Sequence, residues 1–173
     1  RKHSGERAKA LEDYLDYATN ADVFLTYVII NPQAERGKDW GEQQEDLVAR
    51  IVDEDSSGIT IRGAKMLGTS SIMANEVSIA NLQPLRPGEE DLAFCCALPM
   101  NTKGLKVLSR KSYEQHAVSE FDNPLSYCYD ENDAVVYFDD VKVPWDRGFV
   151  HRDIALAASR FRDTYAAPMQ NHH

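Results

Sequence analysis

The side chains best placed to do chemistry lie in two short polar stretches, Asn31-Pro32-Gln33-Ala34-Glu35-Arg36 and Thr69-Ser70-Ser71. The first closes the β-forming run Tyr27-Val28-Ile29-Ile30 with an amide, a carboxylate and a guanidinium. Such a mixture serves either as a solvated turn, with Glu35 and Arg36 as a surface ion pair, or as a loop whose backbone and side chains hold a ligand. In the second stretch Thr69 and Ser71 are alternate residues of an extended segment, so their hydroxyls fall on one side. Spacing excludes several other chemistries. His3, His116 and His151 form neither H-x-x-x-H nor H-E-x-x-H; they read as surface or satisfied histidines, and no metal centre is expected. Gly63 and Gly68 build neither G-x-G-x-x-G nor a P-loop, which argues against a Rossmann site. The three cysteines are an odd number without metal-like spacing. Cys95 and Cys96, neighbours in one strand, should face opposite sides as core residues of a reducing compartment.

Those stretches need strands to hold them, and the chain between its ends is rich in β signals. Leu47 to Asp53 and Ile59 to Ile61 read as a hairpin through Ser56-Ser57-Gly58, where glycine supplies the turn. Further runs follow at Val77 to Leu82, Leu92 to Leu98, Leu105 to Ser109 and Ala134 to Phe138, separated by Pro, Gly and Asn-rich turns. Val141 and Val143 alternate in a half-buried strand that Pro144 ends, and Trp145 should pack the β-domain against the helix that follows. Short strands without intervening helices predict a mainly β chain, an antiparallel β-barrel or sandwich. With 173 residues, 43% of them hydrophobic, one core is expected. Helical spacing of Ala8, Leu11, Leu15 and Ala18 marks a stub over 1–22, expected to be the last helix of something larger with nothing to cover its apolar stripe. A second helix begins over Ile154 to Phe161 and stops near Pro168, ahead of His172-His173. The balance of 19 basic against 28 acidic residues, net charge -9, disfavours nucleic acid and anionic membranes as partners. No apolar run approaches the roughly 20 residues of a membrane helix, and no signal peptide opens the sequence. A soluble, cytoplasmic protein is expected.

Three segments read in order carry more information: "NPQAERGKD" at 31–39, "IRGAKMLGTSSIMAN" at 61–75 and "YDENDAVVYFDDVKVPWDR" at 129–147. Their spacing of N-P-Q-x-[DE]-R, G-A-K-x-x-x-T-x-S and D-E-N-D followed by F-D-D-V-x-V-P-W resembles the 4-hydroxyphenylacetate 3-hydroxylase family. These are two-component flavin-dependent aromatic monooxygenases on the acyl-CoA dehydrogenase scaffold. The resemblance implies a middle domain of that scaffold. Residues 1–22 would be the end of a preceding helical domain, 23–150 a flavin-binding β-barrel domain, and 151–173 the start of a C-terminal helical region.

The resemblance also implies FAD, delivered as FADH2 by a separate flavin reductase, which reacts with O2 to a C4a-hydroperoxide that hydroxylates a phenolic substrate. Gln33, Ala34, Glu35 and Arg36 would edge the isoalloxazine, with Thr69 and Ser71 reaching it as hydroxyl donors or acceptors. Gln83 and Pro84, in "QPLRPGEED", are candidate substrate contacts, a plain solvated loop being the other reading. Two positions depart from the family pattern. Tyr27, the candidate catalytic residue, stands where a histidine often precedes N-P-Q, although a phenol is a poor near-neutral acid or base; Cys128 stands where an arginine is frequent. Asp130, Glu131 and Asp133 are expected to cap a strand entrance rather than act as an acid/base pair. Exposed faces predict self-association into a homo-oligomer. Two alternatives stay open: a non-catalytic β-domain, as fragment or decayed paralogue with a binding or assembly role, and a 4-hydroxybutyryl-CoA dehydratase type. The latter needs cluster ligands that adjacent Cys95 and Cys96 do not supply. Alone, the chain is expected to carry part of a flavin site and to hydroxylate little or no phenol.

Overall fold

The computed structural model describes residues 5–44, 46–129 and 132–163. His3, Asp130, Glu131, Pro168 and the His172-His173 pair, singled out above, lie outside them. Helix α1 (Gly5–Asn20) leads into strands β1 (Leu25–Val28), β2 (Arg50–Asp55), β3 (Gly58–Lys65), β4 (Glu76–Ile79), β5 (Phe94–Pro99), β6 (Leu105–Ser109), β7 (Ala134–Pro144) and β8 (Gly148–His151), and helix α2 (Ile154–Asp163) follows. The strands form two four-stranded sheets, ordered β1-β4-β5-β8 and β2-β3-β7-β6.

Alternation within each strand decides what lies between the sheets. Val28, Val77, Ile79, Phe94, Cys96 and Leu98 of the first sheet meet Ile51, Ile59, Ile61, Val136, Phe138, Val141 and Val143 of the second. Fully burying a side chain of this size contributes about 1.5–3 kcal/mol, so this layer dominates the stability of the fold. The arrangement is the sandwich form of the expected architecture. Among the described residues no ladder closes the sheets into a barrel, although a single bridge, Ile30 to Met66, stitches them at one corner. Cys95 and Cys96 do face opposite sides: Cys96 enters the inter-sheet core, and Cys95 joins Tyr14, Ala80, Ala97, Phe149 and Val150 under the helices.

Three details differ from the sequence reading. The sheets are not wholly antiparallel, because β1 pairs with β4 in parallel, Leu25 opposite Glu76 through Val28 opposite Ile79. The β2–β3 hairpin between them belongs to the other sheet, so the chain returns in its original direction without the helix that usually marks a parallel crossover. Strand β8 was not anticipated; it has four residues and follows Trp145-Asp146-Arg147 directly. In α1 it is Ala10, Tyr14 and Ala18 that pack under the sheet, while Leu11 and Leu15 stay 49% and 62% exposed.

The F-D-D-V segment has a structural explanation. Pairing of β3 with β7 skips between Ile61 and Gly63, opposite Val141 and Phe138, which makes Asp139-Asp140 a bulge. Asp140 takes the left-handed φ of 51° that the bulge needs, and the Arg62 Nε donates to its Oδ1 at 2.7 Å. Gly63 of G-A-K is equally constrained: with φ of 116°, a Cβ there would lie 2.5 Å from the Val48 carbonyl oxygen.

Candidate functional site

Strands β1, β3 and β4 end in segments that meet at one place. From β1, the Thr26 hydroxyl donates to the Thr69 carbonyl at 2.6 Å. One turn further, the Met66 N–H donates to the Ile30 carbonyl at 2.8 Å. Beneath them Lys65, wholly buried at the end of β3, donates through Nζ to Asn31 Oδ1 at 2.5 Å and to Asn81 Oδ1 at 2.9 Å. Asn81 follows β4, its amide donates to the Leu92 carbonyl at 3.3 Å, and the Leu82 N–H donates to the Ile29 carbonyl at 3.3 Å. One buried ammonium thus ties the N-P-Q loop, the G-A-K strand and the segment leading to Gln83 and Pro84. Hydrogen bonds to a charged donor are shorter and stronger than neutral ones, which suits a junction of three loops.

The Thr69 segment is held in an unusual shape. Leu67 and Ser70 take left-handed φ values of 62° and 56°, a conformation that costs of order 1–3 kcal/mol at a non-glycine residue and persists only when its surroundings enforce it. Here the Gly68 N–H donates to the Ala134 carbonyl at 2.9 Å and the Ser70 N–H to the Asn132 carbonyl at 2.6 Å. Between these anchors the Thr69 hydroxyl donates to Asp133 Oδ1 at 2.6 Å.

The N-P-Q loop wraps a buried glutamine. Gln43 Nε2 donates to the carbonyls of Glu35 at 2.8 Å and Lys38 at 3.0 Å, and Gln33, Ala34, Glu35 and Arg36 all remain exposed. The surface pair is not Glu35 with Arg36; Lys38 Nζ lies 2.6 Å from Glu35 Oε2.

Several polar atoms at this junction are buried without a hydrogen-bond partner: Asn31 Nδ2, Ser71 Oγ and Gln83 Oε1. A buried donor or acceptor left unmade costs about 1–3 kcal/mol, so three in one neighbourhood call for an explanation. A ligand with alternating donors and acceptors along its rim supplies one.

The sequence-derived residues therefore divide. Asn31 with the loop of Gln33, Ala34, Glu35 and Arg36, Thr69 with Ser71, and Gln83 with Pro84 belong to three adjoining segments. Tyr27 does not join them. It alternates with the inward Thr26 and Val28, pairs with Ser78, and is 53% exposed on the other face of the sheet. Trp145 packs against the core, but its outer face is covered by Arg7 of α1, 4.7 Å from the ring centroid, as well as by His151 edge-on at 5.0 Å. Cys128 is exposed, and no cluster of metal-ligating side chains exists among the described residues.

Lys65 and Asn81 were not singled out by their chemistry, and Asp133 was read as a strand cap rather than as the partner of Thr69. Lys65 had a signal: Ile59, Ile61, Gly63 and Lys65 alternate onto the buried face of β3. Asp133 had none, because its partner is 64 residues away. A second buried polar group escaped notice as well. Glu76, 2% exposed, accepts from Tyr14 Oη at 2.9 Å, Tyr17 Oη at 3.1 Å and Arg147 Nη1 at 2.8 Å. Burial, then the bond to Glu76, pushes the Tyr14 phenol well above its ordinary range. This cluster fastens α1 to β4 and lies on the face away from the Thr69 junction.

Comparison with known proteins agrees with this fold. A family model described as 4-hydroxyphenylacetate 3-hydroxylase N terminal matches residues 1–150. The 4-hydroxyphenylacetate 3-monooxygenase oxygenase component of Geobacillus sp. (strain PA-9) is 32% identical over 168 residues, which cover 95% of this chain and 34% of that protein. A crystal structure of the oxygenase component (HpaB) of 4-hydroxyphenylacetate 3-monooxygenase, complexed with FAD and 4-hydroxyphenylacetate, superimposes with a TM-score of 0.80 at 34% identity, covering 91% of this chain and 33% of that one. A probable acyl-CoA dehydrogenase from Mycobacterium abscessus shares the fold alone, at a TM-score of 0.56 and 18% identity, over 91% of this chain and 36% of its own. The chain spans about a third of the length of its curated relative.

Proposed function

We propose, from the premise that the chain belongs to the 4-hydroxyphenylacetate 3-hydroxylase family, that it forms the flavin-binding β-unit of a reduced-flavin-dependent phenol hydroxylase. Residues 23–150 would be that unit, with α1 and α2 belonging to the helical regions on either side. The observation that carries the reading is the set of buried, partnerless atoms Asn31 Nδ2, Ser71 Oγ and Gln83 Oε1 where the three loops meet. The rim of an isoalloxazine alternates carbonyl oxygens with ring nitrogens, and a donor amide beside a hydroxyl matches that alternation.

Bound FAD, reduced by a separate reductase, would supply the activation of O2 from which one oxygen atom passes to a ring carbon of a phenol. The chain's own part is to hold the ring and keep it dry. Exposed main-chain and side-chain groups of Gln33, Ala34, Glu35 and Arg36 would follow one edge, with Thr69 and Ser71 on the other. Lys65 would fix the spacing between them through Asn31 and Asn81. Gln83 and Pro84, one and two residues beyond Leu82, would border the phenol. A positioned ring and an excluded solvent are what this chemistry requires, because orientation and water exclusion govern whether activated oxygen reaches the substrate. Tyr27, on the opposite sheet face, has no part in this arrangement.

The test is a titration of the full-length polypeptide with FAD and, anaerobically, with FADH2, read by flavin fluorescence and absorbance. Saturable binding that Ser71→Ala weakens about fivefold or more, the worth of one hydrogen bond, supports the reading. Absence of binding by the wild-type protein would instead leave the chain as a non-catalytic β-domain.

A further inference from the structure

We infer that Asp133 is a positioning residue that turns Thr69 into a hydrogen-bond acceptor and thereby makes the site prefer reduced over oxidised flavin; the inference rests on the flavin reading above. Every polar group of Thr69 but one is already committed. Its N–H donates to the Leu67 carbonyl at 3.0 Å, its carbonyl accepts from Thr26 at 2.6 Å, and its hydroxyl proton goes to Asp133 at 2.6 Å. Only lone pairs of the hydroxyl oxygen remain, on a residue whose surface is exposed.

The direction of that hydroxyl bond follows from its partner. A carboxylate has lone pairs and no proton to offer. Asp133 also faces Arg110, whose Nε lies 3.9 Å from Asp133 Oδ2 and whose main-chain N–H donates to the Asp133 carbonyl at 3.0 Å. The carboxylate cannot drift away from Thr69, since its neighbours Asn132 and Ala134 are the same residues that anchor Ser70 and Gly68. The left-handed Leu67 and Ser70 on either side of the Gly68-Thr69 pair hold the backbone in a bend at this hydroxyl.

An acceptor-only hydroxyl distinguishes the two redox states of a flavin. With Thr69 facing N5, the unprotonated N5 of the oxidised ring would set its lone pair against those of the hydroxyl. The two-electron reduced ring carries N5–H, a donor that Thr69 can accept. No proton or electron is moved by Thr69 or Asp133; the pair only sorts the forms that arrive. A site so built takes up the reduced cofactor from a reductase and releases the oxidised one.

The experiment measures dissociation constants of FAD and, anaerobically, of FADH2 for the full-length polypeptide, and reads their ratio. The wild type is expected to favour FADH2. Asp133→Ala frees the hydroxyl to donate to oxidised N5, so the preference should fall about fivefold to tenfold, the worth of one hydrogen bond. Thr69→Val should lose a comparable share of the preference, Thr69→Ser should keep it, and Asp133→Ala should add nothing in the Thr69→Val background. General damage to the loop would weaken both forms alike and leave the ratio unchanged. If both forms bind but Asp133→Ala and Thr69→Val each leave the ratio within twofold of wild type, the inference is overturned while the flavin reading stands. If neither form binds to the wild type, both fall together.

Discussion

Removing the Glu76 carboxylate should cost more than any other single truncation of a polar side chain outside the loop junction. In Glu76→Ala the guanidinium of Arg147 loses its partner at 2.8 Å, and the phenols of Tyr14 and Tyr17 lose theirs at 2.9 and 3.1 Å. Glu76 is 3% exposed in its side chain and Arg147 22%, so this is a largely desolvated pair and not a surface one. Breaking a buried pair by deleting one member typically costs about 3–5 kcal/mol, because the remaining charge stays buried. The partial exposure of Arg147, which still stacks on the rings of Tyr14 and Tyr17 at 5.2 and 4.9 Å, places the expectation near the lower end, about 3 kcal/mol. For a domain of this size that corresponds to a fall in Tm of roughly 6–12 °C.

Urea unfolding measures the loss, and two further readouts identify its cause. The Tyr14 phenol, held high by burial and by Glu76, should titrate closer to its ordinary range in Glu76→Ala, as followed by ultraviolet difference absorption. Arg147→Met in the same background should return part of the stability, since it removes the stranded cation; a double-mutant cycle isolates that coupling. A loss below about 1 kcal/mol with no coupling to Arg147 would refute the reasoning, and would mean that the cluster is solvated and that α1 is held by its other contacts, among them Tyr14 on Phe149 at 5.2 Å between ring centroids and Arg7 on Trp145.

Two other expectations follow from the same geometry. Lys65→Met keeps the volume of the side chain but strands the Oδ1 atoms of Asn31 and Asn81; with each stranded acceptor worth about 1–3 kcal/mol, partly offset by relief of the buried charge, the net loss should be about 2 kcal/mol by urea unfolding. Acid should destabilise the fold: Asp140, lowered by its bond to Arg62, Asp55, lowered by Lys142 and Ser57, and Glu54, lowered by His151 and Arg152, all have folded-state values below their unfolded ones. Their contribution is present above the unfolded carboxylate range near pH ~4 and is lost as pH falls through the folded values. Unfolding midpoints measured between neutral pH and pH ~2 should therefore decline mainly below pH ~4, and Asp140→Asn should make that decline shallower.

The sequence disclosed most of the fold because period-two alternation survives wherever one face of a strand is buried. Ile59, Ile61, Val136 and Phe138 lie in runs read as strands, Val141 and Val143 alternate as read, and Cys95 and Cys96 face opposite sides as expected. It did not disclose the parallel pairing of β1 with β4, since Leu25–Val28 carries no mark of which later strand it will meet. At the site the three loops were picked out by polar residues and by the family resemblance, and their convergence is visible through Lys65. What stayed hidden was how those residues are used. Asp133 looked like a cap, and only the fold brings it to Thr69; Tyr27 looked like a stand-in for an acid or base, and only strand parity puts it on the far face.

Buried polar groups around the loop junction and under α1 fall into two kinds. Lys65 and Glu76 each bond to two or more partners from distant segments, and Gln43 to two carbonyls of the loop that precedes it. Such groups have recovered their desolvation cost within the chain and are best understood as ties. Asn31 shows the transition within one side chain: its Oδ1 accepts from Lys65, whereas its Nδ2 has no partner. The same amide is therefore anchored on one side and open on the other, as are the loops carrying Ser71 and Gln83. An amide oriented by the scaffold cannot rotate to satisfy its free end without surrendering a charge-assisted bond. The cost of that free end is recovered when a group outside the chain accepts from it, and on the proposed flavin reading that group is the cofactor's rim.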